Sequence, residues 1–319
     1  MENFILSNVA RPLTYQEAEF QCQDSFQNNG PYWHVCTDGT SQQIIFKNTE
    51  DFCAVMNALA IVLAVSDVRL IAFALMNNHI HLIMSGSEGN CKEVFRRLVK
   101  QLKKYFKSKG RPDILNGFDC GDPIEITTLY QMRIEIDYVH RNPYVARSDS
   151  LPYTYKWSSG SVYFNDLVKS SPKTAFNKLS YALRTSIFQG RVAALPDTYC
   201  WSGEYILPVS FVDYHLGESF FRNAAEYFVK ISKIQEDHCL IARGYGEDQI
   251  LNYEEGYSVA ASLAGSMYNN HIPSTLQLAQ KKELAKKLHY EYRIPNKQIA
   301  SLLKIDASIL AQMFPLRQP

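Results

Sequence analysis

Residues 68–85 constrain the fold more than any other part of this 319-residue chain. Residues 68–75 are almost continuously apolar, which is typical of a β-strand buried on both faces. Asn77 and Asn78 follow as a two-residue turn, because asparagine tolerates left-handed backbone better than most residues. Residues 79–85 then form the antiparallel partner strand, so the stretch predicts a β-hairpin.

The second strand of this hairpin carries two histidines, His79 and His81. Side chains at positions i and i+2 of a strand share one face, so we expect the two imidazoles side by side. Ile80, Leu82 and Met84 are then expected to pack the opposite face into the core. Two imidazoles on a rigid strand can chelate a divalent metal, although an H-x-H pair alone is a weak signal.

Composition excludes only a few classes of protein. The 33 Lys and Arg residues balance 32 Asp and Glu, so net charge does not indicate a partner. No apolar run approaches the ~20 residues of a membrane span, and the N-terminus lacks the pattern of a signal peptide. The seven scattered cysteines form no C-x-x-C pair, which argues against a zinc site or disulfide framework and favours a reducing cytoplasm.

A strongly basic helix is predicted over residues 92–108, with apolar residues recurring every four positions. Most of its cations therefore project outward. Such a charge run is either a solvated face or a surface that contacts nucleic-acid phosphates. The candidate DNA-binding residues are Arg96, Arg97, Lys100, Lys103, Lys104 and Lys107.

A second informative helix begins near Thr128, where Thr128 to Gln131 has the pattern of a capping box. Pro143 is expected to end it at the preceding residue. Tyr138 projects away from the apolar stripe of this helix, and Asn142 lies one turn further on. Taken alone, the helix favours a surface tyrosine.

Near the C-terminus, residues 297–303 and 307–314 are predicted as helices joined by a turn at 304–306. The arrangement resembles a helix-turn-helix, with Ser308 and Gln312 as the polar residues available for base contacts. The alternative is a small helical bundle that mediates dimerisation.

Two blocks, NHIHLI at 78–83 and DYVHRNP at 137–143, resemble the signature blocks of the REP-associated tyrosine transposases. These belong to the single-tyrosine HUH endonucleases. The segment YKWSSG at 155–160 resembles the closing Trp-Ser-Ser segment of that family. The likeness spans residues 28–165 in the right order, and the H-x-H block paired with Y-x-x-x-N-P is far more specific than either block alone.

The resemblance implies a fold and a domain organisation. Residues 1–165 are expected to form an α+β HUH domain, a ferredoxin-like antiparallel sheet with helices on one face. An all-α region is expected to follow, made of a helical connector of unknown role at 166–245 and a helical domain with the helix-turn-helix at 246–319.

The resemblance also implies a site and an activity. Tyr138 matches the nucleophile, and His79, His81 and Asn142 match the ligands of a divalent metal, Mg²⁺ or Mn²⁺. The implied reaction is transposase-like: cleavage and strand transfer of single-stranded, hairpin or repeat DNA through a 5′-phosphotyrosine. The expected location is the bacterial cytoplasm, in association with the nucleoid and without a membrane partner. Whether the chain acts as a homodimer stays open.

Two departures from the family motivate an alternative. Asn77 stands where the family usually has proline, and the expected loop at 112–126 carries Asp119, Asp122 and Glu125 where the family is basic and aromatic. The alternative is a domesticated nucleic-acid-binding regulator that keeps the fold without cleavage. A metal-dependent hydrolase of another class is the third hypothesis.

Two further histidines, His34 and His140, could serve as auxiliary ligands or proton donors. We expect both to be structural histidines whose ring nitrogens are satisfied by hydrogen bonds.

Overall fold

The computed structural model describes residues 11–37, 44–145, 151–188, 195–232, 253–292 and 294–314. Cys239 and the predicted domain boundary at residue 245 lie outside the described residues. The helices are α1 (Tyr15–Asn29), α2 (Thr49–Leu63), α3 (Glu88–Ser108), α4 (Leu129–Val145), α5 (Asp166–Ser170), α6 (Tyr181–Phe188), α7 (Tyr214–Ser219), α8 (Ala224–Ile231), α9 (Tyr253–Tyr268), α10 (Leu278–Tyr290), α11 (Asn296–Leu303) and α12 (Ala307–Met313). The strands are β1 (Tyr32–Cys36), β2 (Arg69–Leu75), β3 (Ile80–Ser85), β4 (Ile124–Glu125), β5 (Thr174–Ala175) and β6 (Cys200–Trp201). Short 3₁₀ turns lie at Ser159–Ser161, Phe176–Lys178, Pro208–Ser210 and Pro273–Thr275.

A four-stranded antiparallel sheet with the order β2-β3-β1-β4 organises the first part of the chain. The predicted hairpin is confirmed as β2 and β3. The amide of Met76 donates to the carbonyl of His79 at 2.9 Å, which closes the two-residue Asn77-Asn78 turn. β3 itself begins at Ile80, so His79 belongs to the turn rather than to the strand.

Helices cover both faces of this sheet, which corrects the expectation of helices on one face. All six residues of β3 are buried, so neither face is open to solvent. α4 packs against β2 and β3, while α2 and α3 pack against each other and against β2 and β1 respectively. The physical reason lies in β2, whose run of apolar side chains points to both faces and needs cover on each.

Capping residues set the helix ends. Asn48 caps α2 as its sequence indicates, accepting from the backbone amide three residues later at 3.0 Å. Ser87 caps α3 in the same way at 3.2 Å, so that helix starts at Glu88 rather than at residue 92. The expectation that α4 ends before Pro143 is wrong, because the helix continues to Val145. A proline in the final turn removes only one backbone hydrogen bond, which a packed helix tolerates.

The acidic segment before α4 is not wholly a loop. Ile124 and Glu125 form β4, which pairs antiparallel with His34 and Trp33 of β1. Of the three carboxylates expected in a loop, Glu125 therefore lies in a short edge strand of the central sheet, and Asp119 and Asp122 precede it.

Two hydrophobic clusters form the interior of the described residues. The first runs from Cys22 to Ile231 and includes side chains beyond residue 165, such as Phe176 and Tyr227. The expectation of an all-α region after residue 165 is wrong, because β5 and β6 pair there in a two-stranded antiparallel sheet. The second contains residues between Ala260 and Phe314 and is formed by α9, α10, α11 and α12.

No helix in the described ranges is both long and apolar enough to cross a membrane.

The turn predicted between the last two helices is present. Lys304 has a φ of 48° and ends α11 in the left-handed conformation, and Asp306 caps α12. The two helices lie where the sequence places them, while a role in DNA binding stays a prediction.

Candidate active site

Two strands place three potential metal ligands on one face of the sheet. His34 and Cys36 lie two apart on β1 and so share a face. His81 on β3 is the register partner of Cys36 and therefore lies on the same face. His34 Nε2 is 3.0 Å from His81 Nδ1, and both side chains are buried.

The helix α4 covers this face and adds three polar side chains, Glu135, Tyr138 and Asn142. Their spacing of i, i+3 and i+7 puts them on one side of the helix. Glu135 Oε2 is 2.7 Å from His34 Nδ1, and Asn142 Nδ2 is 3.2 Å from His81 Nε2. The Tyr138 ring lies edge-on to the His81 ring, with 5.5 Å between centroids.

His79 approaches the same centre from the hairpin turn. Its ring is perpendicular to the His81 ring, with centroids 5.0 Å apart, and its Nδ1 is 2.7 Å from Asn78 Oδ1. His81 therefore lies beside each of the other three residues predicted for the site. Positions sixty residues apart in sequence meet because α4 packs across the hairpin.

The interpretation of Tyr138 as a surface residue is wrong. Its side chain is only 1 % exposed. The helix is buried on nearly all sides from Met132 to Arg141, since one side meets the sheet and another meets α8. Tyr138 lies off the apolar stripe of the helix because it faces the buried His81, not because it faces solvent.

Two donor sets that meet at His81 could each hold a metal ion. Ligand atoms of His34, Cys36 and His81 all lie within 4.8 Å of one another, and this group could bind a metal. Asn142 lies on the Nε2 side of His81, and the centroid of the His79 ring is 5.0 Å from that of the His81 ring. Imidazole with an amide oxygen suits Mg²⁺ or Mn²⁺ loosely, whereas a thiolate favours softer ions such as Zn²⁺.

Sequence reasoning missed Cys36 and Glu135 as members of the site. His34 has both ring nitrogens hydrogen-bonded, as expected for a structural histidine, but one of its partners is His81 of the predicted site. The argument against a zinc site considered only C-x-x-C spacing and not a histidine and a cysteine alternating on one strand. That His34-x-Cys36 alternation was the available signal, together with the position of Glu135 one helical turn before Tyr138.

The other side of α4 has a different role. His140 is buried between Ser159 Oγ at 2.7 Å and the hydroxyl of Tyr227 at 2.8 Å, as expected for a structural histidine. Burial lowers the pKa of His140 to about 3, so the ring is neutral at physiological pH. Burial also raises the pKa of the neighbouring Asp137 well above its usual range.

The six basic residues predicted on α3 fall into two groups, according to whether they form an ion pair with a described residue. Arg96 and Arg97 both bind the carboxylate of Glu93, at 2.6 and 2.7 Å. These bonds, the one from Arg96 first, lower the pKa of Glu93 to about 2. The other four residues occur at i, i+3, i+4 and i+7, are exposed, and form no ion pair with any described residue. We name them the lysine stripe: Lys100, Lys103, Lys104 and Lys107.

The two polar residues predicted for base contacts, Ser308 and Gln312, are both exposed on α12. They lie one helical turn apart and so share a side of that helix.

Comparisons with known proteins give one likeness. No protein-family model matches this chain, and no curated protein matches it. A solved structure of a REP-associated tyrosine transposase bound to a REP hairpin is similar over 53 % of this chain and 90 % of that chain. The two sequences are 16 % identical and the TM-score is 0.34. A likeness at this level supports no conclusion about the fold or function of this chain.

Proposed function

We propose that this protein cleaves and rejoins single-stranded DNA of the hairpin or repeat type through a 5′-phosphotyrosine intermediate, with a divalent metal. The observation that carries the proposal is the position of His81. Its ring lies against the Tyr138 ring on one side, and its Nε2 is 3.2 Å from the Asn142 amide. A nucleophile and two metal-ligand types thus meet at one buried point, in the two blocks that resemble the tyrosine transposases.

His79, His81 and Asn142 are the proposed ligands of Mg²⁺ or Mn²⁺. The Asn142 amide can present its oxygen where its nitrogen now lies, because rotation about the last side-chain bond exchanges the two. When bound, a divalent ion polarises the scissile phosphate and neutralises charge that develops on it.

Tyr138 is the proposed nucleophile. Its hydroxyl oxygen forms a bond to phosphorus while the bond from phosphorus to the 3′-oxygen breaks. The tyrosine loses its proton and the 3′-oxygen gains one, so the step is balanced and leaves a 5′-phosphotyrosine and a 3′-OH. Attack by a 3′-OH on that linkage rejoins the strand, and no nucleotide cofactor is needed.

The surrounding architecture supports a ferredoxin-like HUH domain over residues 1–165. Its elements follow in the order β1-α2-β2-β3-α3-β4, so α2 connects β1 to β2 and α3 connects β3 to β4. The histidines and Tyr138 share the face of the sheet that α4 covers. We further propose a connector at 166–245, which contains the β5–β6 pair as well as helices, and a C-terminal helical domain at 246–319.

Two other surfaces are proposed to bind DNA. The lysine stripe of α3 would contact phosphates without sequence preference. In the C-terminal domain, α11 and α12 would act as a helix-turn-helix, with Ser308 and Gln312 contacting bases.

The test is formation of a covalent adduct. Hairpin single-stranded DNA labelled at its 3′ end is incubated with the protein and Mn²⁺, then separated on a denaturing gel. The wild type should carry the label, because tyrosine joins the 5′ end of the released fragment. Tyr138→Phe and addition of a chelator should abolish the adduct. Tyr130→Phe, an exposed tyrosine on the same helix, is the matched control and should retain it.

Failure of the wild type to form the adduct would reject the proposal for those substrates, as would an adduct that persists in Tyr138→Phe. Multiple-turnover cleavage that survives Tyr138→Phe would instead indicate a metal-dependent hydrolase of another class.

The burial of Tyr138 favours a second candidate, the regulator that binds without cleavage. A hydroxyl in a side chain 1 % exposed is closed to a phosphodiester in this conformation. This candidate predicts tight hairpin binding that is unchanged by His79→Ala and is accompanied by no cleavage.

A further inference from the structure

We propose that His34 and Glu135 are positioning residues that fix the protonated nitrogen of His81, so that its Nε2 lone pair faces Asn142. The inference rests on the proposed function only in taking His81 as a metal ligand. Neither His34 nor Glu135 belongs to the predicted site, and neither would contact DNA or the reacting atoms.

The geometry is a continuous series of three contacts. Glu135 Oε2 lies 2.7 Å from His34 Nδ1, His34 Nε2 lies 3.0 Å from His81 Nδ1, and His81 Nε2 lies 3.2 Å from Asn142 Nδ2. The side chains of His34 and Glu135 are 0 % and 2 % exposed, so water does not compete for these contacts. We call this series the His81 relay.

The direction of the relay follows from its carboxylate end. An ionised carboxylate only accepts hydrogen bonds, so His34 must donate from Nδ1. The proposal takes the His34 ring as neutral, so its Nε2 is an acceptor, which requires His81 to donate from Nδ1. The remaining nitrogen of His81, Nε2, carries a lone pair directed at Asn142. The Glu135 carboxylate therefore determines which nitrogen of His81 carries the proton, although Glu135 reaches His81 only through His34.

This tautomer chooses between the two donor sets at His81. A metal ligand must offer a lone pair, and Nδ1 of His81 is committed to its hydrogen bond with His34. The ion would therefore be held on the Nε2 side of His81, where Asn142 lies. Cys36 is left outside the coordination sphere although its sulfur is close. A carboxylate hydrogen-bonded behind a histidine is also a known way to raise ligand basicity and fix ring orientation.

Co²⁺ binding to the full chain without DNA tests the relay separately from cleavage. Glu135→Gln keeps the shape, but an amide can donate as well as accept, so the tautomer of His81 is no longer fixed. Metal affinity should fall on the order of 10- to 100-fold, the usual effect of losing such a supporting contact. His34→Gln breaks the next link and should act in the same direction.

The matched control is Tyr227→Phe. It removes a buried hydrogen bond to His140 on the other side of α4, so it should lower stability and leave Co²⁺ affinity unchanged. The discriminating variant is Cys36→Ser. The wild-type complex should show no sulfur-to-cobalt charge-transfer absorption, and Cys36→Ser should leave its spectrum unchanged.

Several outcomes would overturn the inference. One is a Co²⁺ affinity of Glu135→Gln equal to that of the wild type. Another is a sulfur absorption band that Cys36→Ser removes, which would place the ion on the Nδ1 side. If Glu135→Gln fails to fold, as judged by circular dichroism, His34→Gln decides, and no Co²⁺ binding by the wild type also rejects the relay. Weakened binding in Glu135→Gln without any wild-type DNA adduct would uphold the relay and reject the proposed cleavage.

Discussion

The lysine stripe should set the salt dependence of DNA binding, and the two arginines on the same helix should not. Replacing Lys100 and Lys103 together with glutamine removes two cations that have no ion-pair partner among the described residues. Each phosphate contact contributes about 0.7 to the slope of log affinity against log salt for single strands. The double variant should therefore lower the magnitude of that slope by about 1.4, if each lysine contacts one phosphate.

Arg96 and Arg97 provide the matched comparison, because they carry the same charge on the same helix. Both are hydrogen-bonded to Glu93, and a guanidinium held by a carboxylate releases no counterion from a phosphate. Arg96→Gln with Arg97→Gln should weaken binding through net charge but leave the slope unchanged. The assay is fluorescence anisotropy of a labelled, unpaired single strand over a series of salt concentrations.

The reasoning would be refuted if the arginine double variant lowered the slope as much as the lysine double variant. That result would mean that DNA displaces Glu93 from the arginines on binding. An unchanged slope in the lysine variant would show that the lysine stripe is simply a solvated face.

Three further predictions concern stability, each measured by urea unfolding. Burial raises the pKa of Asp137, so the free energy of unfolding should fall as pH rises above the unfolded value of about 4, and Asp137→Asn should remove that fall; parallel pH profiles would contradict this. Tyr227→Phe leaves Nδ1 of the buried His140 without its 2.8 Å partner and should cost about 1–3 kcal/mol; no loss would mean that water replaces the hydroxyl. In Gly217→Ala the new Cβ would lie 1.7 Å from the Tyr163 hydroxyl, and overpacking should cost about 1–3 kcal/mol; wild-type stability would show that Tyr163 moves freely.

Local patterns in the sequence were enough to predict the hairpin and the last two helices. The β2 run and the Asn77-Asn78 turn act over a few residues, and both are observed. Local patterns could not place His79, since a two-residue turn ends at that residue and β3 begins one position later. The pairing of β1 with β3 joins residues nearly fifty positions apart, so local patterns could not predict the contact of His34 with His81.

Burial of Tyr138 shows a second limit. Helical periodicity identifies a side of α4 that differs from the apolar stripe, but it does not say what packs there. The ion pairs of Glu93 are a different case, because Arg96 and Arg97 follow it at i+3 and i+4. That spacing alone indicates shared pairing, and it could have separated the arginines from the lysine stripe in advance.

The block DYVHRNP combines two separable requirements in adjacent residues. Tyr138 and Asn142 face the histidines, whereas His140 ties α4 to Ser159 and to Tyr227 in the core. Under the proposed function, a related chain without strand cleavage would still use His140 to hold α4 in the core. The presence of that histidine therefore says nothing about chemistry, and the loss of Tyr138 and Asn142 is what would identify a chain without the proposed cleavage.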